Sequence, residues 1–148
     1  MLAMLALRKM TQKNVLLAGM QCRYFTVVKK YTKTHEWIEL DTDTSIAKIG
    51  ITDHAQGELG DIVHVGLPDE GTEFTKADAI SCVESVKTAA DIYQMVDGEV
   101  VEVNQQLADE PDLINKDAEG EGWIMKIKMK DQKQLGDLLN LDDYNEIL

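Results

Sequence analysis

Two cysteines among 148 residues are too few for a disulfide framework and fit a reducing compartment. Cys22 lies in a segment that reads as removable, so Cys82 is left unpaired on a strand-like run, where core packing is its expected role. No uninterrupted apolar stretch approaches the roughly 18 residues of a spanning helix, which excludes a transmembrane anchor of that kind. There is no internal repeat and no linker long enough to separate domains. Acids are missing before Glu36, although Arg8, Lys9, Lys13, Arg23, Lys29, Lys30 and Lys33 all precede it, and no arginine follows Arg23. The start of the chain is chemically a different polymer from the rest.

Residues 1–25 carry spaced basic groups among Leu, Met and Val, the composition of a mitochondrial presequence. A secretory signal would need a longer apolar core, placed after its basic residues, than the run Val15-Leu16-Leu17-Ala18 provides. Processing near Arg23-Tyr24-Phe25 leaves residues 26–148 as one domain in the mitochondrial matrix. That cut removes four basic groups and no acid, taking the formal charge from −12 to −16. Such acidity opposes nucleic-acid binding and suits partners with basic docking surfaces, though solubility alone also accounts for many of these charges.

The remaining chain is long enough for a core without disulfide staples, and its pattern is short strands punctuated by turns. Trp37–Leu40 and Ile46–Ile49 flank the turn-forming run Asp41-Thr42-Asp43-Thr44, a first hairpin. Thr52 caps one short helix that ends near Gly57 or Gly60. Further strands are expected at Ile62–Val65, Asp78–Val83, Asp91–Val96, Val100–Val103 and Trp123–Lys128, with a polar loop around Pro111. Leucines 135, 138, 139 and 141 predict one or two short helices between Gln132 and Leu148 that close the sheet. These signals define a mainly β sandwich.

Within it, Lys87 falls at the tip of a hairpin whose arms are rich in β-branched and aromatic residues. A hairpin tip holds an amine away from the backbone yet mounts it rigidly, as covalent modification requires. Ala89 and Ala90 leave room for an approaching enzyme, and Glu84 offers it a fixed carboxylate. A lone turn lysine is ordinarily just solvated. Here three landmarks surround it: Gly71 in the turn Pro68–Gly71, Glu84, and Gly98 in the dipeptide Asp97-Gly98, a strong hairpin signal.

The motifs Thr34-His35-Glu36-Trp37, Gly50–Gln56, Leu59–Val63, Val83-Glu84-Ser85-Val86-Lys87, Gly98-Glu99-Val100 and Gly122-Trp123 together resemble the H protein of the glycine cleavage system. That resemblance implies a barrel-sandwich hybrid of the lipoyl and biotinyl carrier kind, with a short internal helix and C-terminal helices. It implies lipoate on Lys87 as N6-lipoyllysine, with Gly71, Glu84 and Gly98 placed as lipoyl carriers have them. Val86 and Thr88 stand where a biotin carrier would have methionines. The implied partners are the lipoyl-attaching enzymes and the P-, T- and L-proteins. The P-protein would load an aminomethyl group from glycine, the T-protein would unload it, and the L-protein would take the electrons. The chain itself would be a carrier with no catalytic residue. The resemblance also places Thr34, Glu36 and Asp91 near a docked arm, with the two acids as partners for an ammonium group. Gln94-Met95-Val96-Asp97 departs from the small, Pro-containing stretch expected after the lysine hairpin, and Glu58 occupies a variable position.

Other readings compete less well. His35, His54 and His64, among Asp53, Glu58 and Asp61, lack the close His or Cys pairs of a zinc site, and no metal is expected. A hydrolase using Cys82 and His64 would need something to stabilise the thiolate, and Cys82 has neither a cationic sequence neighbour nor a helix start. Within carriers, a platform for octanoyl or lipoyl assembly, relaying the group to 2-oxo acid dehydrogenases, is left open beside the glycine pathway.

Overall fold

The computed structural model describes residues 26–148, so the expected presequence, 1–25, lies outside the described residues. Two antiparallel sheets pack as a sandwich. One has six strands in the order β1-β2-β3-β9-β8-β5, and the other has three, in the order β4-β6-β7. Their ranges are β1 Val27–Tyr31, β2 Glu36–Asp41, β3 Ile46–Ile51, β4 Ile62–Gly66, β5 Glu73–Phe74, β6 Ala79–Ser85, β7 Ala89–Tyr93, β8 Gly98–Val103 and β9 Met125–Met129. Short helices α1 Asp53–Leu59, α2 Gln106–Asp109, α3 Leu113–Asp117 and α4 Leu141–Asn145, with a 3-10 helix at Gln132–Asp137, fill the corners. Among the described residues no helix is long and apolar enough to cross a membrane.

Strand alternation builds the core. Ile38 and Leu40 from β2, Ile49 from β3, Val83 from β6, Val100 from β8 and Ile127 from β9 are wholly buried in one cluster. Trp37 points to the opposite face of β2, directly across from Gly50. A Cβ at Gly50 would stand 2.8 Å from the indole, so only glycine lets the ring lie flat there. The indole N–H donates to the carbonyls of Ile51 at 2.8 Å and Ala118 at 3.1 Å, satisfying the polar handle of a buried tryptophan. Tyr31 and Tyr144 stack beside it at 4.7 Å, and burial, reinforced by the nearby Glu119 carboxylate, pushes the Tyr31 phenol up to about 12.

The first hairpin and the capped helix form where the sequence puts them. Thr52 Oγ1 accepts from the Ala55 N–H, and α1 stops at Gly60, whose φ of 81° suits glycine. Leu139 bridges Tyr31 of β1 through two backbone hydrogen bonds of 2.9 Å, so the C-terminal segment does close the larger sheet.

Four expectations need correction. β7 ends at Tyr93 instead of running to Val96, because Gln94, Met95 and Val96 leave the sheet and are buried. The polar loop around Pro111 contains α2 and α3. Asp97-Gly98 makes no hairpin: Gly98 opens β8 and pairs with both Phe74 and Met129. It is glycine because a Cβ would meet the Lys128 carbonyl oxygen at 2.6 Å, a matter of close approach and not of turn geometry. Cys82 is only half-buried, since alternation along β6 sends Ser81 and Val83 inward and Cys82 to the other face.

One side chain fixes the segment between α1 and β4. Asn115 of α3 accepts from the Ile62 N–H at 2.8 Å and donates to the Gly60 carbonyl and to Gln56 Oε1, each at 2.9 Å. Replacing Asn115 with alanine strands these groups, and urea unfolding should show a loss of about 2 kcal/mol.

Candidate functional site

The hairpin joining β6 to β7 turns through Ser85-Val86-Lys87-Thr88. Its geometry depends on one hydroxyl. The Ser85 N–H donates to the Thr88 carbonyl at 2.7 Å, while Ser85 Oγ accepts from the backbone N–H groups of Lys87 at 3.3 Å and Thr88 at 3.2 Å. Serine does this because its short side chain can replace a backbone acceptor in a turn. The Val86 N–H donates to the Asp61 carbonyl at 3.0 Å, which ties the tip to the segment Asn115 clamps. Rigidity thus passes from α3 to the lysine through backbone and amide hydrogen bonds.

Lys87 is exposed, and among the described residues no ion pair engages its amine. Its stem is less free than the sequence implies. It lies over Gly60, where a Cβ would stand 3.1 Å from Cε and 3.8 Å from Nζ. Any larger residue at position 60 would push the stem away and would also carry a strained positive φ. The sequence marks Gly60 as a helix stop but carries no sign of this second role.

A cleft of about 310 Å³ opens one residue past the lysine. Thr88, Ala90, Asp91 and Ile92 of the hairpin and β7 form one wall, Thr34, His35 and Glu36 another, and Ile51, Ala55, Glu58 and Leu59 complete it. The structure therefore brings together Thr34, Glu36 and Asp91. The two acids differ in setting: Asp91 is exposed, whereas Glu36 is only 3% exposed. Glu36 Oε2 accepts from the hydroxyls of Thr34, at 2.5 Å, and of Thr32, whose Oγ1 in turn accepts from the Glu36 N–H at 3.0 Å. These hydroxyls compensate a carboxylate held in a mostly buried place. Thr32 carries no site signal in the sequence beyond its spacing to Glu36.

The other landmarks are dispersed. Glu84 is exposed on the lysine hairpin itself, paired across it with Ala89. Gly71 sits between β4 and β5 with φ of 85°, its N–H donating to the Val100 carbonyl at 2.7 Å. Gly98 belongs to the larger sheet. His35 and His54 lie with rings 4.5 Å apart, near Glu58, whereas His64 is exposed on β4 and takes no part.

A β sandwich that displays an exposed lysine, Lys87, on a hairpin beside a cleft has the form of a scaffold that presents a group, the class to which carrier domains belong. Residues 29–148 match the family model described as Glycine cleavage H-protein, and the chain belongs to that family. It is 50% identical over 119 residues to the glycine cleavage system H protein of Thermotoga maritima, across 80% of this chain and 94% of that one. The corresponding protein of Thermus thermophilus is 51% identical over 118 residues, covering 80% and 91%. A crystal structure of a glycine cleavage system H protein from Mycobacterium marinum superposes with a TM-score of 0.73 at 34% identity, covering 80% of this chain and 94% of that one.

Removing the hydroxyl that organises the tip tests the geometry. Ser85→Ala should lower stability by about 1 kcal/mol and speed amide exchange at Lys87 and Thr88 several-fold, measured by hydrogen exchange and mass spectrometry.

Proposed function

We propose that Lys87 is the residue that bears lipoate, as N6-lipoyllysine, and that the chain shuttles the aminomethyl unit of glycine from the P-protein to the T-protein and electrons to the L-protein. Membership of the family supports the carrier role in glycine cleavage. The observation that carries the assignment to Lys87 is its exposed amine, free of ion pairs, on a braced hairpin one residue from the cleft. The surroundings suit such a group, because the glycine at position 60 leaves room for the stem and the cleft has both apolar and acidic walls. When bound, lipoate supplies a dithiolane whose sulfurs accept and release electrons and a one-carbon unit.

The chain's own residues perform three tasks. The Ser85 turn and its tie to Asp61 hold the lysine out, so that several enzymes can reach it in turn. Ile51, Leu59 and Ile92 keep water from the inner part of the cleft. Glu36 and Asp91 face the place where the ammonium end of the cargo would rest, and the Thr32 and Thr34 hydroxyls orient the Glu36 carboxylate. Glu84, three residues before the lysine, together with Gly71 and Gly98, would serve recognition by the lipoyl-attaching enzymes. The acidic mature chain would steer toward basic partner surfaces.

We also place the protein in the mitochondrial matrix, with residues 1–25 as its presequence. Two features support this: the segment is acid-free and basic, and the family match begins only at residue 29.

In a system reconstituted with the P-, T- and L-proteins, Lys87→Arg should reduce glycine cleavage to background while leaving the fold unchanged by circular dichroism. Full turnover by that variant would refute the assignment. Glu36→Gln and Asp91→Asn should accept lipoate normally yet lose bound cargo several-fold faster in single-turnover hydrolysis assays; unaltered lifetimes would remove both acids from the docking role.

A further inference from the structure

Three ligand-type side chains that the carrier role leaves unused meet beside the cleft. His54 and Glu58 stand four residues apart on α1, which puts both on one face, and His35 reaches them from the turn before β2. One donor atom from each lies within 4.8 Å of the other two. The separation from His54 Nε2 to Glu58 Oε1 is 3.4 Å. That is longer than a normal hydrogen bond of about 2.7–3.2 Å. It agrees with roughly 3.4 Å for the edge of a tetrahedron with bonds of about 2.0–2.1 Å to its centre.

The third donor is held in place from behind. His35 Nδ1 is 2.8 Å from the Tyr144 hydroxyl, which is itself 2.8 Å from Thr52 Oγ1. With Nδ1–H donating to Tyr144, Nε2 is the ring nitrogen left for a ligand, and the tyrosine is an outer hydrogen-bond partner of the kind that orients metal-bound histidines. The backbone of His35 has φ of 70°, a left-handed conformation in which histidine is among the better tolerated side chains. Its carbonyl accepts from the Thr52 N–H at 2.9 Å, so the turn is fixed to the start of α1.

We propose that His35, His54 and Glu58 form a binding site for a divalent cation of the zinc class, held by two imidazole nitrogens and one carboxylate oxygen. Calcium and magnesium prefer oxygen donors, whereas two imidazoles with a carboxylate suit zinc. His35 and Glu58 also line the cleft, so the cation would add two positive charges at the rim of a cleft that Glu36 and Asp91 make acidic. It would then oppose the attraction of that cleft for an ammonium group. This consequence rests on the docking reading above; the binding itself does not.

The test uses the untagged full-length chain carrying Lys87→Arg, with Cys22 and Cys82 alkylated so that no thiol contributes. Zinc is titrated against a chromophoric chelator. The expected result is one cation per chain, weakened at least tenfold by His54→Gln, by Glu58→Gln and by His35→Asn, the last chosen because asparagine also accepts a left-handed backbone. His64→Gln should bind as the parent does, and circular dichroism checks that each variant is folded. His54 is half-buried and Glu58 exposed on α1, so their substitutions decide the matter even if position 35 proves intolerant. Absence of zinc binding, or binding that survives both His54→Gln and Glu58→Gln undiminished, would overturn the site.

Discussion

A single amide, that of Asn115, is the point on which presentation of the lysine depends. It reaches from α3 to the segment between α1 and β4, where it pairs with the N–H of Ile62 and the carbonyl of Gly60. Between those two residues lies Asp61, whose carbonyl receives the N–H of Val86 at the hairpin tip. A β hairpin alone is marginal in water. This one is braced at its tip by a loop that is itself pinned, while its base is embedded in the sandwich through Val83 and Ile92. The same loop contributes Gly60, over which the lysine stem lies. Stiffness and clearance at the amine come from one short stretch of chain.

The cleft beside the tip combines that rigidity with charge. A mostly buried carboxylate is costly unless donors reach it, and Thr32 and Thr34 supply them to Glu36. The turn that carries these threonines also carries His35, and its left-handed backbone lets Thr34, His35 and Glu36 all contribute to the cleft wall. The proposed docking of cargo and the proposed cation site thus share one structural element, and occupancy of either would alter the electrostatics of the other.

Much of this is legible in the sequence where local signals and tertiary structure agree. The β2–β3 hairpin, the Thr52 cap and the lysine hairpin follow from alternation, capping chemistry and β-branched flanks. β1 is hidden because Lys29 and Lys30 read as a continuation of the basic leader. In the fold, Lys29 pairs with Glu119 at 2.9 Å and lies over the Trp37 ring. α2 and α3 span only four and five residues, too few to show helical periodicity. Gly98 misleads because Asp-Gly is a strong local hairpin signal, while the glycine answers to the backbone of β9, distant in sequence. The role of Asn115 leaves no local trace, and although His54 and Glu58 are four residues apart on α1, their meeting with His35 depends on elements brought together only by folding.

The most direct measurement is intact mass followed by peptide mapping of the protein isolated from its native compartment. A mass gain of one lipoyl group, located on the peptide containing Lys87 and on no other lysine, is the predicted result. An unmodified Lys87 in active native material, or lipoate found on a different lysine, would contradict the account.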